Sequence, residues 1–301
     1  MESPGLVDRP DRDGLPADPV ADPVAVVTWA SRGAGRGIAH ALGSHGATVY
    51  VTGRTRRGAG GSSIEETADL VTAAGGTGIA VAVDHRDDEQ TRRLFERVAR
   101  EQGRLDILVN NAAAIRDEMM SRAPFWEQPL DVIDIVDVGL RSSYVATACA
   151  APLLFARGRG LVAFTSSPGA AHYMFGPAYG VHKAGTDKMA ADMAVDFADF
   201  GVATVSIWMG VLLTERFREV LAAAPEAVAD LLDNTETPEF TGHLIWALYH
   251  DPDLMARSGR TVIGAELGAE YGITDDGERR PASYRDLHGI GPLPQYPRIL
   301  R

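Results

Sequence analysis

Residues Val24–Arg54 read VAVVTWASRGAGRGIAHALGSHGATVYVTGR. Val24–Thr28 is a short β-rich apolar run of the kind that is buried on both faces of a parallel sheet. Ile38, Ala39, Ala41 and Leu42 then recur at helical spacing, and Gly46 resets the chain for a second apolar run, Thr48–Thr52. A strand, a Gly-rich turn, a helix and a strand build a nucleotide site, because the turn offers free N–H groups and the positive end of the helix to a diphosphate. Ser31, Arg32, Gly33 and Gly35 form that turn. Gly33 and Gly35 let the backbone approach a ligand with no Cβ in the way, and Gly37 permits close packing of helix on strand. Trp29 stands where such turns carry their first Gly. A tight strand–helix turn without a ligand is the plain alternative.

Outward from this unit, strand and helix signals alternate. Ser63–Ala74 opens with a capping signature, Ser63 and Glu66, and closes at Gly75-Gly76. Strands are expected at Gly78–Val83, Ile107–Val109, Leu161–Thr165, Val202–Trp208 and Thr261–Ile263. Helices are expected at 87–102, 131–156, 177–200 and 237–250. Pro152 should kink or end the regular part of its helix, and Pro225 should break the Ala-rich run Leu212–Leu232. The alternation predicts an α/β fold, a Rossmann-like doubly wound parallel sheet with helices on both faces. The expected organisation is a disordered tail over 1–22, one domain over 23–270 with a substrate lid at 211–236, and a C-terminal tail over 271–301.

The chain has 301 residues, 45% of them hydrophobic, and a net charge of −12. That charge argues against a general affinity for nucleic acid or anionic membrane. No run is expected to span a membrane, and the N-terminus has no signal-peptide pattern. The one cysteine, Cys149, excludes an internal disulfide and favours a reducing compartment, so a soluble, cytoplasmic protein is expected. The eight histidines show no metal-ligand spacing, and no metal is expected.

The second strand of a site for NAD usually ends in an acid that holds the ribose hydroxyls. Here it ends in Gly53-Arg54, with Arg32 in the phosphate turn. Two guanidiniums and no carboxylate suit a 2′-phosphate, hence NADP(H); otherwise both are solvated surface arginines. Asp84, at the end of the third strand, could accept from an adenine amino group or simply close a turn. Tyr179 and Lys183, at i and i+4, share one helix face. An ammonium there should lower the phenol pKa towards working pH. Ser166, on the preceding strand end, could hold a substrate oxygen while Tyr179 moves its proton.

With these residues in order, the chain resembles the short-chain dehydrogenase/reductase family over about residues 24–270. The motifs are Thr28-Trp-Ala-Ser-Arg-Gly-Ala-Gly35, Asp84, Asn110-Asn111-Ala112-Ala113, Ser166, Tyr179 with Lys183, and Met209-Gly210 with Thr214. Within the family it looks closest to the dehydrogenase/reductase member 1-like branch. That branch is marked by Gly35-Arg-Gly-Ile-Ala39, Ser166-Ser-Pro-Gly169 with Tyr173-Met-Phe175, and Asp187-Lys-Met-Ala-Ala-Asp192. The resemblance implies a sheet of about seven parallel strands and a bound NAD(P). It implies Ser166 as substrate orienter, Tyr179 as acid/base, and Lys183 as holder of the nicotinamide ribose. It also implies adenosine-side contacts from Asn110 and Asn111, and nicotinamide contacts from Leu212 and Thr214. The helices at 131–156 and 177–200 match those through which members pair into dimers and tetramers. Trp29, Ala34, Ala113, Met209 and Gly139 depart from the family pattern; Gly139 lies where an Asn often relays protons, although the branch resembles this chain there.

His172, Tyr173 and Phe175, with Phe125, Trp126 and Trp208, are expected to wall a substrate pocket; core or subunit packing is the even alternative. The expected function is an NADP(H)-dependent interconversion of a carbonyl and a secondary alcohol on a bulky, partly apolar small molecule. A redox-neutral cyclase, dehydratase or isomerase using the same Tyr, Ser and Lys is the alternative. A non-catalytic binding protein is the third. The intact Ser, Tyr and Lys with both arginines favour the first.

Overall fold

The computed structural model describes residues 19–300. The strands among the described residues are β1 (Val24–Val27), β2 (Thr48–Gly53), β3 (Thr77–Ala82), β4 (Ile107–Asn110), β5 (Gly160–Ser166), β6 (Val202–Trp208), β7 (Val211–Leu212), β8 (Thr235–Glu236) and β9 (Arg260–Ile263). The helices are α1 (Gly33–Ser44), α2 (Ile64–Ala73), α3 (Asp88–Gln102), α4 (Ser142–Leu154), α5 (Pro177–Phe197), α6 (Glu215–Ala223), α7 (Ala229–Leu232), α8 (Pro238–His250), α9 (Leu254–Arg257), α10 (Gly264–Tyr271) and α11 (Tyr284–His288).

Seven strands form one parallel sheet in the order β3-β2-β1-β4-β5-β6-β9. The order reverses between β1 and β4, which opens a crevice at the carboxyl ends of those strands. β1, β4, β5 and β6 are buried along their whole length. Helices on both faces cover them, so their sequences are continuous apolar runs without alternation. One face packs Ile38, Leu42, Phe240, Leu244 and Leu248 of α1 and α8; the other packs Leu94, Ala146, Ala150 and Ala190 of α3, α4 and α5.

Local signals explain most element ends. Ser63 and Glu66 form the reciprocal capping box of α2. Asp87 caps α3, and Gly103 closes it in the left-handed conformation. Pro152 lies in the last turn of α4, and the regular helix ends two residues later. α4 is preceded by a π-helical stretch, Val136–Arg141. The continuous helical run Leu130–Arg157 is long and apolar enough to cross a membrane by composition, contrary to expectation, but 44% of its apolar window is buried inside the domain.

Three expectations change. Residues 1–18 of the expected tail lie outside the described residues, whereas Val20 packs on the core and the Asp22 carbonyl accepts from Arg104. The C-terminal segment is also attached. Ile273 joins the core, Asp275 accepts from the Thr237 N–H, and Ser283 and Arg285 both donate to Glu266. Gly37 is needed against α8 rather than against a strand. A Cβ there would lie 2.3 Å from Pro238 Cβ and 2.8 Å from the Glu239 nitrogen. Because that neighbour is backbone, Gly37→Ala is expected to lower stability by about 1–2 kcal/mol net of its helix-propensity gain, read as a lower urea midpoint.

Candidate active site

The crevice is floored by the turn after β1. Trp29 adopts φ +52°, the left-handed region that glycine takes at no cost. Its carbonyl and that of Thr28 accept from Asn111 Nδ2, at 3.3 and 3.0 Å. Thr28 Oγ1 accepts from the backbone N–H groups of Asn111 and Ala112. Asn111 therefore braces the turn. Asn110 does not line the crevice, which corrects the expectation for it. It is the last residue of β4, its side chain faces the other way, and its Nδ2 donates to Thr147 Oγ1 of α4 at 2.9 Å. Gly35 is required by packing as much as by a ligand, since a Cβ would lie 2.5 Å from the Trp29 carbonyl oxygen.

Arg32 sits at the N-terminus of α1, with its side chain bonded to nothing in that cap, and Ser31 is buried beside it. The Gly33 N–H donates to Glu215 Oε2 at 2.9 Å, and Thr214 lies across from Gly33 while capping α6. Glu215 thus supplies an anionic oxygen where the turn would hold a phosphate oxygen. Leu212, half-buried, pairs with Glu236 in a two-stranded parallel sheet, β7 with β8, that no sequence signal indicated. Arg54 lies across the Trp29 ring at 5.5 Å and within 3.8 Å of Asp84, which also accepts from the Arg86 N–H.

At the other end of the crevice, Tyr179 and Lys183 lie on one face of α5, as their spacing requires. The hydroxyl brought to Tyr179 belongs to Ser167, not to Ser166. Ser167 Oγ and Tyr179 Oη share a hydrogen bond of 2.9 Å. Ser166 is the last strand residue, paired with Trp208, and its side chain is fully buried on the opposite side. There its Oγ approaches the Lys183 carbonyl oxygen, at 3.5 Å. Trp208 is likewise core and not pocket wall, because its Nε1 donates to Asp187 Oδ2 at 2.8 Å. Ser206 donates to the other carboxylate oxygen at 2.6 Å.

Lys183 is buried, and its ammonium donates to the Thr165 carbonyl at 3.1 Å and lies 5.6 Å from the Tyr179 ring centre. Burial lowers its pKa to about 8, against the Asp187 carboxylate one helical turn on, which raises it. Burial pushes the Tyr179 phenol upward, and the Ser167 hydrogen bond opposes that. The expected lowering of the Tyr179 pKa is therefore absent from this arrangement, and at neutral pH the phenol carries its proton. His182 is packed, with its Nε2 only 2.4 Å from where a Cβ on Gly139 would stand.

The pocket walls divide. Phe175 meets the Tyr179 ring edge-on at 5.2 Å. Phe175 and Tyr173 line a cavity of about 370 Å³ with Met119, Met120 and Pro124. His172 turns back to the Pro168 carbonyl at 2.8 Å. Phe125 and Trp126 are 59% and 72% exposed, stack edge-on against each other, and are not part of that lining. Sequence reading also missed two groups. Glu236 is buried, accepts from the Gly210 N–H through Oε1, and has no partner for Oε2; burial above all raises it to about 8. Tyr284 of α11 is pushed up to about 12 by burial, then by Glu236 and Tyr179.

The family model for short chain dehydrogenases matches residues 23–224. The chain belongs to the short-chain dehydrogenase/reductase family. It is 39% identical over 286 residues to human dehydrogenase/reductase SDR family member 1, covering 91% of this chain and 90% of that protein. The mouse counterpart is 38% identical over 280 residues, with 89% and 88% covered. A variant of a Serratia marcescens short-chain dehydrogenase/reductase superposes with a TM-score of 0.69 at 27% identity, covering 81% of this chain and 97% of that one. The short-chain dehydrogenase/reductases are oxidoreductases that use nicotinamide cofactors, NAD or NADP. The turn fits such a group here, because Gly33 already gives its N–H to an anionic oxygen at the start of α1.

His85, just beyond β3, adds a pH dependence beside this site. It is fully buried, Thr52 Oγ1 lies 2.8 Å from its Nε2, and its Nδ1 has no partner. Desolvation lowers its pKa to about 4, with Asp84 opposing. A depressed histidine binds its proton more readily unfolded, so stability is complete above pH ~6.5 and falls as pH drops towards the folded value. The expected loss between pH 7.5 and 5 is about 2 kcal/mol from this group. Urea midpoints at the two pH values check it, and His85→Asn should flatten the difference.

Proposed function

We propose that the protein is an NADP(H)-dependent oxidoreductase that interconverts a carbonyl and a secondary alcohol on a partly apolar small molecule. The observation that carries this is the paired hydroxyls of Ser167 and Tyr179, 2.9 Å apart, beside a buried Lys183. A carbonyl oxygen held against both hydroxyls can take a hydrogen bond from Ser167 and the proton from Tyr179. When bound, NADPH supplies the hydride for the carbonyl carbon. Tyr179 transfers its phenolic proton to the oxygen, and the Lys183 ammonium stabilises the phenolate that results. In the oxidative direction Tyr179 takes the proton back.

Lys183 would hold the nicotinamide ribose, and Arg32 and Arg54 a 2′-phosphate. Phe175, Tyr173, Met119 and Met120 give the substrate its apolar contacts. The redox-neutral alternative supposes that Trp29 disables the turn. The turn keeps its braces from Asn111, and its Gly33 N–H already holds a carboxylate oxygen, that of Glu215, which supports the redox reading instead. We place the protein in the cytoplasm as a homodimer or homotetramer. Tyr144 of α4 and Val181 of α5, 60% and 54% exposed, support pairing through those helices.

The test is turnover of a panel of aryl and alkyl ketones and aldehydes with NADPH. The expected result is one NADPH consumed per alcohol formed on at least one substrate, with NADH a poorer donor. Product formed without NADPH consumption would contradict the redox reading.

A further inference from the structure

Trp29, Arg54 and Asp84 stand side by side at the carboxyl ends of β1, β2 and β3. Trp29 is a residue with a Cβ in the left-handed region, φ +52°, at a position where glycine would be free of strain. Such a conformation costs on the order of 1 kcal/mol or more and persists where its surroundings fix it. The surroundings are visible: Asn111 holds the Trp29 carbonyl, and Gly35 packs against it. The backbone alone would be satisfied by glycine, so the indole is the part that needs a reason.

The indole does one thing that glycine could not. The Arg54 guanidinium lies over its ring, 5.5 Å from the centre. Arg54 is otherwise loosely held. Its side chain is 56% exposed, and its ion pair with Asp84 is long, at 3.8 Å, and open to solvent. Exposed pairs of that kind fix a side chain weakly. The aromatic face therefore supplies the main constraint on where the guanidinium points. The indole Nε1–H is also buried without a partner. It is an unused donor beside the same cation, and a buried donor left unmade costs free energy that an acceptor would return.

We infer that Trp29 is a specificity-determining positioning residue: its indole holds Arg54 in place to receive the 2′-phosphate of the dinucleotide. This rests on the NADP(H) reading above. Trp29 touches none of the reacting atoms, and acts through Arg54. An arginine preorganised against an aromatic face gives up less freedom when it binds a phosphate, so the effect falls on NADP⁺ and not on NAD⁺.

The test is equilibrium binding of NADP⁺ and NAD⁺, measured by calorimetry on the purified protein and its variants. Trp29→Leu keeps bulk but removes the face. It is expected to weaken NADP⁺ by roughly two- to fivefold and to leave NAD⁺ unchanged. Trp29→Phe restores a face and should recover most of the preference. In the Arg54→Ala background the Trp29→Leu effect should vanish, because the two act as a pair. A merely structural Trp29 would weaken both dinucleotides together, with or without Arg54, and that result overturns the inference while leaving the NADP(H) reading intact. Saturable binding of neither dinucleotide by the natural protein overturns both.

Discussion

Tyr179→Phe is expected to cut kcat by about 10²–10⁴-fold while leaving NADPH binding unchanged. The factor corresponds to about 3–5 kcal/mol of barrier. The substitution is clean because the ring stays. Phe keeps the packing on Met119, Val132 and Ile135 and the edge contact with Phe175. Only the hydroxyl is lost, and with it the bond to Ser167. That bond contributes about 1 kcal/mol to stability, so the variant should fold. Steady-state kinetics in the reductive direction, with a parallel NADPH titration, checks the prediction. Full activity would remove Tyr179 from the chemistry under any enzymatic reading.

The second large effect separates two neighbouring serines. Ser167→Ala is expected to lower kcat about a hundredfold, as does loss of one donor to a developing oxyanion. Ser166→Ala should leave kcat within a few fold. Its cost should appear as about 1 kcal/mol of stability, because it removes a buried hydroxyl that donates to the Lys183 carbonyl. Kinetics and urea midpoints on both variants distinguish them. A dead Ser166→Ala beside an active Ser167→Ala would reverse the assignment.

This pair also shows where sequence stopped being legible. The parallel sheet and the Tyr179–Lys183 face follow from apolar runs and from helical periodicity, because these are properties of stretches many residues long. A strand end is different. Neighbouring residues there point to opposite faces, so a one-residue ambiguity becomes a full reversal. Ser166 and Ser167 are both plausible by spacing from Tyr179. The deciding signal was lateral: Ser166 is paired with Trp208, whose indole N–H bonds to Asp187, one turn beyond Lys183. Asn110 and Asn111 divide in the same way, one to Thr147 and one to the turn. Trp208 read as a pocket residue because its size and position suit a wall, whereas its indole N–H is spent on a buried carboxylate.

Other features had no local signature. β7 and β8 are two residues each and pair across the whole helical excursion 213–234, so neither has a periodicity to read. Glu236 meets the Gly210 N–H only through tertiary packing. The upward shift of Tyr179 depends on burial, which outweighs the hydrogen bond from Ser167, and neither is visible in the spacing of Tyr179 and Lys183. Trp29 was visible as an oddity, but its left-handed backbone and its contact with Arg54 were not.

The central claim is that the crevice at Val24–Arg54 holds NADP(H) for use at Ser167 and Tyr179. Titration of the purified protein with NADPH and NADH, followed by energy transfer from protein tryptophan to the nicotinamide, tests it without a known substrate. Saturable NADPH binding in the micromolar range, with NADH several times weaker, is the predicted result. Absence of saturable NADPH binding would contradict it.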